Sequence, residues 1–294
     1  MEPVTNMISP EDEPQATREP KVPPSPAALE ATPLSFLYMT LAPLWERFLL
    51  GEGALLAVNA ALLWFRRDQL ESPVTHLVLS VLSLMLLYAF NDHHDAASDR
   101  RNPKKNQVLV SEYLRWGESY LWFLLASKAL IVTLAYLTIG PTVALVTAAL
   151  MVVNAAYSLV IKGIPFFDIA VVGLWGALFA GLASAPLYLC AFVGVMTAIM
   201  HIYQISVDLE VDRSNEIRTT AVFGSGTTTS MLALTLVALY FVTLPRFGPL
   251  WSATAFLPLL FRLAIPRPTW GWAMSRGYCA VALLALLGAF EGLL

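Results

Sequence analysis

Charge is the scarcest property of this sequence. Only 13% of its 294 residues are charged, against 57% hydrophobic, and the mean hydropathy is +0.64. A soluble fold of this length cannot hide that much apolar surface, so a water-soluble domain is excluded and a bilayer is the expected solvent. Cysteine is almost missing as well. Cys190 and Cys279 both lie in apolar runs and form no CxxC pair, which excludes a disulfide framework and a thiolate zinc site. Nor is there an excess of positive charge. With 18 Lys and Arg against 21 Asp and Glu, the net charge is −3, and no basic face is on offer to a nucleic acid. The N-terminus lacks the basic start and apolar core of a cleavable signal peptide.

What is present divides into two parts. Residues 1–33 carry Pro3, Pro10, Pro14, Pro20, Pro23, Pro24, Pro26 and Pro33 among acidic residues and almost no aromatics. Such a segment buries too little to offset its ordering entropy, and we expect a disordered tail. Residues 34–294 read as an all-α transmembrane domain. Apolar runs at about 49–65, 73–91, 117–139, 141–160, 167–184, 186–207, 229–244, 247–263 and 276–293 make about nine helices. Leu34 to Trp45 either lies at the interface or leads into the first run. Gly140-Pro141, Ala185-Pro186 and Gly248-Pro249 mark tight reversals between neighbouring spans.

Loop charge sets the expected orientation. With the N-terminus inside, inner loops and span ends carry Arg100, Arg101, Lys104, Lys105, Arg115, Lys162, Arg213, Arg218, Arg262, Arg267 and Arg276. The outer ones carry Arg66, Arg67 and Arg246. By the positive-inside bias this places the chain in a cytoplasmic (inner) membrane with its N-terminus in the cytoplasm.

One stretch stands out from the apolar background. Asn91-Asp92-His93-His94-Asp95 continues to Asp99 directly after an apolar run. On a continuing helix, Asp92, Asp95 and Asp99 fall within an arc of roughly 60°. Like charges on one helix face repel, so the arrangement calls for a compensating cation. A second group, Asp208-Leu-Glu-Val-Asp212-Arg213, closes another apolar run four spans later. Four spans return the chain to the same side, so the two halves read as parallel four-helix copies facing each other across a central cavity. About five carboxylates, joined by Asn91, then gather at the cytoplasmic rim. Hard oxygen donors of this kind suit Mg²⁺ or Mn²⁺ and not zinc, and Mg²⁺ usually bridges carboxylates to phosphates. Two such acidic helices would hold a diphosphate, with Lys162, Arg213, Arg218 and Arg101 taking up the rest of its charge. His93 and His94 point off the carboxylate face and are expected to be solvated or to face headgroups. His201 reads as a satisfied interior histidine.

The residues also resemble a known family. Asn91-Asp92-His-His-Asp95-Ala-Ala-Ser-Asp99 resembles the NDxxDxxxD motif of the UbiA superfamily of intramembrane prenyltransferases. Asp208-Leu-Glu-Val-Asp212, with Arg213 and Ile217-Arg218-Thr219-Thr220, is similar to that family's second motif. Tyr157-Ser158 with Lys162-Gly163-Ile-Pro165 and Asp168 is similar to its tyrosine–lysine loop after the fourth helix. The resemblance implies a bundle of about nine spans around a central cavity. It implies Mg²⁺-dependent cleavage of an isoprenyl diphosphate, with the prenyl group passed to a lipophilic acceptor such as a quinone precursor or a carotenoid. It further implies that Asn91, Asp92, Asp95, Asp99, Asp208 and Asp212 hold the metal–diphosphate, with Asp92, Asp95, Asp208 and Asp212 as the catalytic set. Tyr157, Lys162 and Arg218 would contact the phosphates. The run Arg101-Asn102-Pro103-Lys104-Lys105 looks most like the carotenoid-elongating branch. Glu216 stands where the second motif usually has glycine, and the Tyr157–Lys162 loop is shortened.

Two other readings compete. A carrier or channel would use clustered carboxylates for cations or protons. It would also need polar groups along the spans, and the third, seventh and ninth spans offer almost none. A catalytically silent relative would bind an isoprenyl diphosphate without cleaving it.

Overall fold

Apolar runs of this length must satisfy their own backbone in lipid, and helices do so within one segment. A computed structural model of the chain shows that outcome: among the described residues every regular element is helical and there is no strand. The structure describes residues 32–49, 54–100, 102, 105–214, 218–265 and 267–290. The expected disordered tail lies outside them except for Thr32 and Pro33, where the first helix begins.

The helices are α1 (Pro33–Leu49), α2 (Ala54–Phe65), α3 (Pro73–Asp99), α4 (Gln107–Thr138), α5 (Pro141–Ala156), α6 (Phe167–Gly181), α7 (Leu187–Val207), α8 (Leu209–Ser214), α9 (Ser225–Ser252), α10 (Leu257–Ala264) and α11 (Pro268–Phe290). Six apolar stretches among them are long enough to cross a membrane, and three shorter apolar helices accompany them. The chain is an integral membrane protein. The described part of the run expected at about 49–65 is α2, 12 residues that follow residues 50–53, which lie outside the described ones. The third run begins earlier than expected, because α4 starts at Gln107 and bends at Gly117 (φ 4°, ψ −89°).

The expected reversals are present, each for a local reason. Gly140 (φ 133°) and Pro141 join α4 to α5. Pro186 precedes the first residue of α7. At Gly248 (φ 69°) α9 breaks, and the chain runs back far enough for Arg262 on α10 to reach Thr228 and Thr229 near the start of α9.

Two apolar clusters hold the bundle together. One joins Met39 of α1 to α3, α4 and α5; the other joins Leu62 and Leu63 of α2 to α6, α7, α9 and α11. Helix α2 bridges the two clusters, with Leu55 and Leu56 against the first and Leu62 and Leu63 in the second. Apolar surface gains little by leaving lipid, so close packing and polar bonds must fix the contacts. Asn59 of α2, fully buried, donates to Ser80 Oγ and to the Phe179 carbonyl, both at 2.9 Å. Helices α6 and α7 form the most extensive pair, because a Cβ on Gly194 would lie 2.8 Å from the Gly173 carbonyl and one on Gly176 would collide with Thr197.

Candidate active site

Helix α3 continues without a break through Asn91 to Asp99, so its carboxylates share one face as the spacing predicts. The i, i+4 pair is closed by Asn91 Nδ2 donating to Asp95 Oδ2 at 2.9 Å. Beyond Asp99 the chain turns sharply, and Gln107 Nε2 donates to the carbonyls of Asp99 (3.2 Å) and Asn102 (2.8 Å). That turn folds Lys105 back onto the acidic face, with its Nζ 3.1 Å from Asp99 and 3.7 Å from Asp92.

The second wall is not the loop that the sequence led us to expect. Tyr157–Ile161 is a π turn continuing α5, closed by Lys162 N–H donating to the Tyr157 carbonyl at 2.9 Å. The turn carries the helix as far as Lys162; π turns are frequent at functional sites. Ser158 Oγ donates to Asn91 Oδ1 at 3.4 Å, and Lys162 Nζ donates to Asp95 Oδ2. The Tyr157 ring turns inward, 6.2 Å from the ring of His201.

The third wall is the end of α7. Asp208 terminates that helix and Asp212 lies on the short α8. Burial pushes the Asp212 carboxyl up to about 6; the Thr219 hydroxyl (3.2 Å) lowers it, Asp208 raises it, Lys162 lowers it and Asp95 raises it. Asp212 thus feels charges on both other walls, and Lys162 stands between the two acidic groups. Beneath them, the fully buried Asp168 latches one loop to the other. Its carboxylate accepts from the Thr220 N–H at 2.9 Å and from the Thr220 hydroxyl, while that hydroxyl accepts from the Phe166 N–H at 2.7 Å.

Arg213 and Arg218 are exposed, and no hydrogen bond or ion pair among the described residues draws them into the site. Arg101, Pro103, Lys104 and Glu216 lie outside the described residues. His93 of the first motif corrects our reading. His93 stands edge-on to Tyr120 (5.6 Å) and Tyr113 (6.2 Å) with its Nδ1 buried, and so faces the bundle interior and not the headgroups. His201 is interior as expected, but its buried Nε2 has no hydrogen-bond partner among the described residues.

The sequence reading passed over Lys128. It is buried in α4, inside the third span, which therefore does carry a polar group. Its ammonium donates to Asn154 Oδ1 at 2.8 Å and lies 3.5 Å from the centroid of Phe90. The only hint in sequence was one lysine inside an apolar run, a placement that usually marks function.

Among the described residues, no three His, Cys, Asp or Glu side chains converge on one metal position; ammonium groups lie between the carboxylates instead. The donor chemistry still fits a hard divalent cation, since every acidic contact is an oxygen and the negative charge is only partly offset by Lys105 and Lys162.

An all-helical membrane bundle with acidic and basic groups gathered at one end is thus defined. The chain belongs to the UbiA prenyltransferase family, whose model matches residues 53–290. A UbiA homolog from Archaeoglobus fulgidus bound to GPP and Mg²⁺ is similar in fold at TM-score 0.60 and 19% identity, covering 85% of this chain and 98% of that one. The form of the homolog bound to DMAPP and Mg²⁺ gives TM-score 0.54 at 20% identity, with 81% and 98% covered. The form bound to Cd²⁺ gives 0.56 at 18%, with 86% and 99% covered. Among curated proteins no match was found.

Proposed function

We propose that this chain transfers a prenyl group from an isoprenyl diphosphate to a lipophilic acceptor within the membrane, in an Mg²⁺-dependent reaction. The observation that carries the reading is Lys162, bonded to Asp95 of the first motif and electrostatically coupled to Asp212 of the second. The prenyl diphosphates and Mg²⁺ bound by the A. fulgidus homolog support the choice of donor and ion.

Asn91, Asp92, Asp95, Asp99, Asp208 and Asp212 would hold Mg²⁺, and the same donor set accepts Mn²⁺. Bound there, the ion supplies positive charge against the departing diphosphate. Lys162, Arg218 and Tyr157 bind and orient the phosphates, with Arg213 and Arg101 adding charge at the rim. As the allylic C–O bond breaks, the diphosphate keeps the electron pair and these cations stabilise it. Acceptor attack on C1 then forms the new bond and releases a proton. The His93, Tyr113 and Tyr120 rings beside the acidic turn exclude water from the cation that develops. By loop charge the site opens to the cytoplasm, in a cytoplasmic membrane.

Purified full-length protein, incubated with labelled geranylgeranyl diphosphate and Mg²⁺, should release diphosphate and yield a prenylated lipid. Binding without release would identify a silent binder, and neither with any prenyl diphosphate would refute the proposal.

A further inference from the structure

Arg262 belongs to none of the three walls. It sits at the end of α10, half-buried, and its guanidinium donates to Thr229 Oγ1 (3.1 Å), Ser206 Oγ (3.3 Å) and Thr228 Oγ1. All three partners are neutral. Among the described residues no ion pair includes Arg262, so its charge is solvated by hydroxyl dipoles and is not neutralised. Two of those hydroxyls are already committed as donors elsewhere: Ser206 to the Ile202 carbonyl (2.7 Å) and Thr228 to the Ser225 carbonyl (3.0 Å).

Beside this guanidinium lies a cavity of about 260 Å³, lined among others by Tyr203, Leu209, Gly224, Ser225 and Ile265. Gly224 and Ser225 open α9, a helix of 28 residues with no side-chain cap, so its first-turn N–H groups face the same end of the bundle. An arginine needs only part of its five donors for three hydroxyls, and the remainder suit an oxyanion. The cavity backs onto the acidic turn without joining it. At 100° per residue Ser206 lies about 160° round the helix from Asp208.

We propose that the Arg262 cavity is a second anion site, which takes the phosphate or carboxylate headgroup of a membrane lipid. Its volume is below the roughly 300–1,000 Å³ of a pocket for a whole drug-sized ligand, so it holds the headgroup alone. Exposed Leu260, Leu263, Trp270 and Met274 on α10 and α11 offer the acyl chains an apolar surface alongside. The site does not depend on the transfer reaction proposed above.

The full-length protein can be tested by lipid retention in native mass spectrometry and by thermal shift, using phosphatidylglycerol, phosphatidylcholine and inorganic phosphate as separate probes. Wild type should favour phosphatidylglycerol over phosphatidylcholine by about tenfold, the worth of one charge-assisted hydrogen bond. Arg262→Gln should lose that preference while its response to geranyl diphosphate and Mg²⁺ stays unchanged. Should Arg262→Gln fail to fold, Thr229→Asp decides the matter, because a carboxylate supplied internally should raise the melting point and abolish the preference. Retention of the full preference by either variant overturns the proposal. A shift of full size from inorganic phosphate alone would assign the site to a soluble anion and overturn the lipid assignment.

Discussion

Lys162 and Asp95, 67 residues apart in sequence, are joined by a hydrogen bond between ammonium and carboxylate. The bond ties the π turn after α5 to the acidic face of α3, and the same ammonium lowers the pKa of Asp212 on α8. One cation therefore connects the two acidic motifs.

Removing either partner should act differently. Asp95→Asn removes a carboxylate proposed to hold the metal, and kcat should fall by about 10²–10³-fold, the usual loss when one stabiliser of developing charge is deleted. Lys162→Gln should chiefly raise KM for the prenyl diphosphate, by about tenfold. Steady-state assays with the diphosphate varied separate the two; equal effects on kcat and KM in both variants would contradict these roles. Asp92→Ala and Asp208→Ala should leave folded protein without turnover.

With Asp212 as a proposed metal ligand, metal binding should be sensitive to acid. Its pKa is raised to about 6, so the carboxylate is ionised and free to bind at pH 7.5, whereas below pH 6 a proton competes. Apparent Mg²⁺ affinity should fall by up to about tenfold per pH unit below 6. Thermal-shift titrations of Mg²⁺ between pH 5 and 7.5 would show this, and Asp212→Asn should flatten the profile. An unchanged slope in that variant would rule Asp212 out as the titrating group.

Asp168 acts as a latch between the Phe166 and Thr220 segments. Asp168→Ala strips the buried Thr220 N–H and hydroxyl of their acceptor, which should cost about 2–4 kcal/mol. The thermal midpoint should drop whether or not Mg²⁺ and diphosphate are present. A variant as stable as wild type would show that water replaces the carboxylate without loss.

The α6–α7 contact tolerates no added bulk at Gly176, since even a Cβ there collides with Thr197. Gly176→Val should destabilise the bundle by about 1–3 kcal/mol, and pairing it with Thr197→Ala should restore part of the loss. A thermal melt of the double variant tests the compensation.

Much of the architecture was legible because it is local. Apolar run length marked the membrane helices, and Gly140-Pro141, Ala185-Pro186 and Gly248-Pro249 marked the reversals. A helix continuing through Asn91 to Asp99 follows from spacing alone. The early start of α4 at Gln107 was not legible, because hydropathy measures preference for lipid and not where hydrogen bonding stops. Lys128 was passed over and His93 misjudged for a related reason. A polar residue in an apolar run can face lipid, water or interior, and only packing decides which.

By itself, then, the sequence determined that this protein lives in a bilayer, that it is helical, and that its acids cluster at two helix ends; composition and periodicity carry that information over a few turns. Tertiary structure decided that Lys162 reaches Asp95, that Asp168 fastens Thr220, and that Arg262 ends beside a cavity with no carboxylate among the described residues to meet it. Those relationships join residues tens of positions apart, and they depend on how glycine-lined helices pack, which no single run of the chain encodes.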